Sequence, residues 1–356
     1  MERTFIKKIA IVGTIAIFIV INIYFFIIHS NDNESIPLAR EFHSNHNNVI
    51  ISPVCEDEMN SWGDIDGGQS LFVWHGDIGR MTTEDPMFYG IIYLEKPQDL
   101  LYAQISNLSS YRRYFVFKIF YNYEEVAFRI TGDEDYGKEF LFVLDEAQEM
   151  KIPFHLSSEL EPNEYNSKLT VGVFESPHRF AKASDIIRND LGIILNFEIR
   201  YGFDHEVNLS VSEEKPCERL YGLQFHGLMI NRDFSPAIYQ AYFPPNPLRV
   251  QRGERIELAF LANAYTLIIE PLENYLIISM LDWHQTLMDG QPYLLIDATE
   301  KTEYIGDHGR FFIDAPMEIG YFDFVAFIVP NPMHSNSGSN FFPLEMSFRF
   351  TIEVTE

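Results

Sequence analysis

The stretch LTVGVFESP at residues 169–177 alternates large apolar side chains with others and stops at a proline. The chain repeats the pattern 153 residues later as FDFVAFIVP, at 322–330. Leu169, Val171 and Val173 hold the apolar positions before Pro177, and Phe322, Phe324 and Ala326 hold them before Pro330. The same separation relates the next alternating run in each half. Ile193, Leu195, Phe197 and Ile199 alternate with Ile194, Asn196, Glu198 and Arg200; Met346, Phe348, Phe350 and Ile352 alternate with Ser347, Arg349, Thr351 and Glu353. A period of two marks a β-strand with one face buried.

Three more pairs fall in line with small changes of offset, as loop insertions would produce. YFVFKIFYNYEE at 114–125 matches YLIISMLDWHQT at 275–286, and EFLFVLDEA at 139–147 matches PYLLIDATE at 292–300. FVWHGDIGR at 72–80 matches LQFHGLMINR at 223–232. The chain reads as a tandem duplication, one domain over 50–203 and a second over 204–356. That period is domain-sized, far longer than a solenoid repeat.

Short apolar runs in each half are separated by turn clusters such as TGDEDYG, EPNEYNS and MDGQP. The 31 Phe and 19 Tyr suit strands. The nearest approach to a helix in either half is FAKASDIIRNDL, 180–191, worth a turn or two. The expectation is an all-β chain of two antiparallel β-sandwiches with immunoglobulin-like topology. A jelly roll is the alternative, because each half is long for a minimal immunoglobulin domain.

The N-terminus sets the location. Residues 9–28, IAIVGTIAIFIVINIYFFII, carry no charge, and as a helix they would span roughly 30 Å, the hydrocarbon core of a bilayer. Arg3, Lys7 and Lys8 in the tip 1–8 place the N-terminus in the cytoplasm by the positive-inside rule. The run is too long for a signal-peptide core and ends in bulky residues, so it reads as an uncleaved signal-anchor. The polar segment 29–49 reads as a stalk. His43 and His46 within it have no third metal ligand nearby.

The net charge of −26 excludes nucleic-acid binding through a basic face. Cys55 and Cys217 are the only cysteines, so a disulfide-rich scaffold and a Cys-x-x-Cys zinc site are both excluded. The two sit at loosely equivalent places, and a bond between them requires that the domains lie side by side or that the N-terminal segment reaches the junction.

Several groups stand out as candidate sites. Asp282, Trp283 and His284 end a strand where the first half has YNY, and with Trp74 they are candidate contacts for a partner or a sugar. For Trp283 a side chain filling the core is the reading favoured over a surface contact. Asp64 and Asp66, and Asp133 and Asp135, lie in Gly-containing turns that suit calcium or are simply solvated. His75–Gly76 and His226–Gly227 recur, as do Pro177 and Pro330; recurrence in both halves points to structural roles. Asn107 and Asn208 begin NLS sequons, which matter only in a eukaryotic secretory pathway. No nucleophile elbow, His-Glu-x-x-His motif, phosphate loop or Ser-x-x-Lys occurs.

The sequence therefore describes a single-pass plasma-membrane protein of a bacterial envelope with its bulk outside. It requires no cofactor, calcium apart, and its role is binding or scaffolding toward an envelope protein or glycan. A glycan-binding module is the first rival and needs aromatics such as Trp283 on an exposed flat face. An envelope hydrolase with an acidic site is the second.

Overall fold

The computed structural model describes residues 49–53, 69–75, 90–96, 98–157, 160, 167–181, 192–201, 218–221, 227–232, 247–263, 272–298, 305–333 and 344–356. The segment 9–28 lies outside them, as do 182–191 of the expected helical turn; among the described residues no helix is long and apolar enough to cross a membrane.

The described residues form strands and turns. The first half contributes β1 (Ile50–Pro53), β2 (Gln69–His75), β3 (Ile91–Leu94), β4 (Leu101–Asn107), β5 (Arg113–Tyr121) and β6 (Glu124–Glu125). It continues with β7 (Phe128–Ile130), β8 (Phe140–Leu144), β9 (Gln148–Leu156), β10 (Ser167–Glu175) and β11 (Gly192–Tyr201). The second half contributes β12 (Glu218–Tyr221), β13 (Gly227–Asn231), β14 (Leu248–Gln251), β15 (Arg255–Asn263) and β16 (Asn274–Leu281). It ends with β17 (His284–Thr286), β18 (Leu294–Asp297), β19 (Ile305–Asp314), β20 (Gly320–Pro330) and β21 (Phe350–Thr355).

In the first half one sheet runs β2–β4–β9, with β1 and β7 sharing the far edge of β9, and the other runs β3–β11–β10–β5, with β6 and β8 sharing the edge of β5. The second half repeats this as β13–β15–β19–β12 and β14–β21–β20–β16, with β17 and β18 on β16. Among the described residues only β3–β11 and β14–β21 are parallel pairs. This is the strand order of an immunoglobulin-type sandwich whose second sheet is extended at its edge.

Strand pairing also fixes which residues of the halves are equivalent. The Asn122 N–H donates to Lys168 O and the Asp282 N–H to Asp323 O; Ser176 and Asn331 then leave their strands with positive φ. Residues 169–177 therefore correspond to 324–332, and Pro177 to Pro332 rather than to Pro330. A slip of two residues keeps every side chain on its face, so alternation alone cannot detect it. The match between 114–125 and 275–286 is off by one, because Phe115 and Tyr275 take the same place in their cores. The His-Gly match also fails. Leu71 and Val73 pair with Ile105 and Ala103, and Leu228 and Ile230 pair with Ala262 and Phe260. His75 thus ends β2, whereas Gly227 begins β13.

Each sandwich has its own core. Opposite Ala103 of β4 stands Ile152 of β9; at the equivalent place Phe260 of β15 faces Gly309 of β19. A methyl group at Gly309 would lie 2.6 Å from the Phe260 ring, so the large and small residues have traded strands.

A third cluster joins the sandwiches. Val116, Phe120, Tyr123, Phe174 and Ile194 pack against Leu276, Ile278, Met280, Trp283, Val325, Phe327 and Val329. The sheet of β5, β10 and β11 thus lies face to face with that of β16, β20 and β21, giving four stacked layers. These strands are covered on both faces, so the expectation of half-buried strands is corrected for them: β10 is buried over eight of its nine residues.

Candidate functional site

Asp282, Trp283 and His284, singled out in the sequence, lie at this seam. The hairpins β5–β6 and β16–β17 turn through Asn122–Tyr123 and Asp282–Trp283, all four with positive φ. Two-residue hairpins need this conformation. Asn and Asp accept it readily; an aromatic residue does so against strain that packing must offset. The packing is visible. Tyr123 sends its hydroxyl to Pro332 O at 2.7 Å and lies edge-on to Tyr293; burial raises its phenol pKa. Trp283, 1% exposed, lies against Phe174 with the Arg349 guanidinium 5.4 Å over its ring. Trp283 is a core residue, which corrects its candidacy as a surface contact.

At one end of the seam Glu125 gathers groups that carry or can take a positive charge. Lys118, fully buried, pairs with it; Lys138 Nζ is 3.7 Å away and His284 Nδ1 3.3 Å. His284 Nε2 also lies 3.8 Å from Glu139, so the imidazole of the second sandwich sits between two carboxylates of the first. Burial would raise the Glu125 pKa, but hydrogen bonding with His284 and the Lys118 charge outweigh it and hold the carboxyl down to about 2.

At the other end Arg349 donates to the carbonyls of Glu175, Ser176 and Arg179 at 3.0, 3.1 and 3.2 Å. Asp323 accepts the Ala181 N–H, and the one Thr351 hydroxyl proton is shared between Asp323 Oδ1 and Ala181 O. Five backbone groups of 175–181 in the first sandwich are thus met by three residues of the second. Burial raises the Asp323 pKa against the pull of Arg349. Partial burial, with Arg179 and Arg349 close by, pushes the half-buried His178 down to about 4, so it stays neutral. Beside the seam the buried Lys168 lies 3.6 Å from Glu198, which Arg200 also binds; burial lowers Lys168 to about 8.

The other candidates do not converge on this place. Trp74, 7% exposed, stacks on Tyr102, with Lys151 Nζ 5.1 Å and 4.3 Å above the two rings. Asp133 and Asp135 lie in the turn after β7, and among the described residues no three His, Cys, Asp or Glu side chains are grouped to hold a metal. Asp64, Asp66, Cys55, Cys217, Gly76 and His226 lie outside the described residues. Asn107 is fully buried and donates to Tyr111 O, Leu144 O and Asp145 O, so this sequon is a turn lock and not a glycosylation site.

Sequence reasoning missed Lys118, Glu125, Asp323 and Arg349. Their signal was present: a charge on the outer face of an otherwise apolar strand, as in FVFKIF and FDFVAF.

No family model matches the chain, and no curated protein matches it. Among solved structures, red sea bream transglutaminase aligns at 8% identity and TM-score 0.21, over 85% of this chain and 33% of that one. This chain therefore spans about a third of the transglutaminase. The C-terminal domain of the Streptococcus agalactiae AgI/II polypeptide BspA aligns at 8% identity and TM-score 0.22, over 80% of this chain and 100% of that one. The E. coli chaperone DraB aligns at 10% and 0.22, over 80% and 97%. With scores this low, the fold of this chain is defined by its own strand order.

Proposed function

We propose that this is a membrane-anchored, extracytoplasmic binding or scaffolding protein with no chemistry of its own. The observation that carries the reading is the employment of its perturbed ionisable groups. In an enzyme, carboxyls and lysines with displaced pKa values converge on an open cleft. Here Glu125 and Asp323 are instead joined into bonds that hold one sandwich to the other. The result is a four-layer stack, which suits presenting surfaces rather than closing on a substrate. The charge-free run 9–28 supports the anchor and the polar stalk the distance from the membrane. The glycan-binding rival loses its main support with the burial of Trp283.

The test is proximity crosslinking of the full-length protein in its native membrane, read by mass spectrometry. Enrichment of one envelope protein, lost on substituting Lys151→Glu on the outer face of the first sandwich, supports the reading. Self-crosslinks alone overturn it.

A further inference from the structure

The seam has the symmetry of a homodimer without its chemistry. Glu125 and Gln285 are equivalent: they come just after the two matching turns and pair with Phe120 and Met280. The Glu125 N–H donates to Gln285 Oε1 at 2.6 Å, and the Gln285 N–H donates back to Glu125 Oε2 at 3.4 Å. Equivalent residues that meet each other reciprocally define a two-fold axis, which passes between these two. Tyr123 and Trp283 obey the same relation, each turned into the opposite sandwich. By shape alone, such a face fits three partners: the second sandwich of its own chain, that of another copy, or another first sandwich.

Charge removes the last. Two first sandwiches face to face would bring Glu125 against Glu125 on the axis, where the side chain is only 4% exposed. Away from the axis, the places of Asp323, Arg349 and Thr351 are held in the first sandwich by Lys168, Asn196 and Glu198. An ammonium would replace the carboxylate that accepts the Ala181 N–H, and a carboxylate would replace the hydroxyl that donates to Ala181 O. We propose that the seam carries a pairing code: the first sandwich accepts only a second sandwich, its own or that of another copy, and Glu125 forbids self-pairing. Asp323, Arg349 and Thr351 complete the code by answering the backbone of 175–181.

The test uses the full-length protein with a protease site placed between residues 203 and 217, cleaved in place. Ordinary and isotope-heavy batches are mixed in detergent and read by native mass spectrometry. First–second pairs of mixed isotope are expected, and first–first pairs are expected only when Glu125→Gln is combined with Lys168→Asp, Asn196→Arg and Glu198→Thr, which lift the off-axis mismatches as well. First–first pairs at comparable abundance in the unaltered protein overturn the proposal, and so does the failure of light and heavy halves to exchange. If the fourfold variant exchanges yet gives no first–first pairs, the code is overturned; if the three off-axis substitutions give them without Glu125→Gln, the role of Glu125 is overturned. Gln285→Glu, which puts two carboxylates on the axis of the existing pair, should separate the cleaved halves; undiminished pairing would count against the code as well.

Discussion

The two sandwiches build the same pair of sheets from different side chains, and the differences are of two kinds. Inside the cores they cancel: Ala103 with Ile152 in one and Phe260 with Gly309 in the other fill similar space. On the facing sheets they do not cancel. Both sandwiches pair their buried charges internally, Lys118 with Glu125, Lys168 with Glu198 and Arg349 with Asp323, but Arg349 also donates across the seam to carbonyls of the first sandwich. A core constrains volume, so two sandwiches of one strand order can differ by exchanging large for small. An interface constrains donors and acceptors one by one, so its halves become complementary and cease to be alike.

Breaking the asymmetric contact should have the largest effect. Arg349→Met removes the donors to three carbonyls and leaves Asp323 buried without its counter-charge; a loss of about 3–5 kcal/mol is expected in denaturant unfolding. The red shift of Trp283 fluorescence should accompany it.

Phe260→Ala should cost about 3–4 kcal/mol by opening a cavity. Adding Gly309→Ile recreates the Ala–Ile arrangement of the first sandwich and should recover a substantial part. A double variant no better than Phe260→Ala alone would show that the cores are not interchangeable. Gly309→Ala by itself should cost about 1–3 kcal/mol through crowding of the Phe260 ring, measured as a fall in the unfolding midpoint.

Acid should loosen the seam at the Glu125 end. Its folded-state pKa, about 2, lies below the ordinary carboxylate value, so the stability it contributes is complete above roughly pH 4.5 and is lost as pH falls toward 2. Amide hydrogen exchange at Glu125 and Gln285 should quicken across that window, and Glu125→Gln should abolish the change. The smallest effect is expected from Asp133→Asn with Asp135→Asn: a midpoint within about 0.5 kcal/mol of the parent, with or without added calcium.

The strands were legible because alternation is local: Leu169, Val171 and Val173 name one face of β10 before any partner is known. Register was less legible, since a slip of two residues leaves that face unchanged and only the hydrogen bonds of Asn122 and Asp282 fix it. Trp283 shows the limit for sites. A Trp at a strand end suits both a surface contact and a core, and what decides it is Phe174, more than a hundred residues earlier in the chain.

By itself, then, the sequence determined the all-β class, the recurrence of one strand pattern in both halves, the acidic charge and an apolar segment fit for a membrane. Each comes from composition or from a pattern with a short period. Tertiary structure alone decided that the second sheets would lie against each other and that Lys118, Glu125, Asp323 and Arg349 would be enclosed between them. A charge on the non-core face of a strand looks the same in sequence whether water or another sandwich covers it. Only the packing of one fold on another supplies the partner that makes the difference.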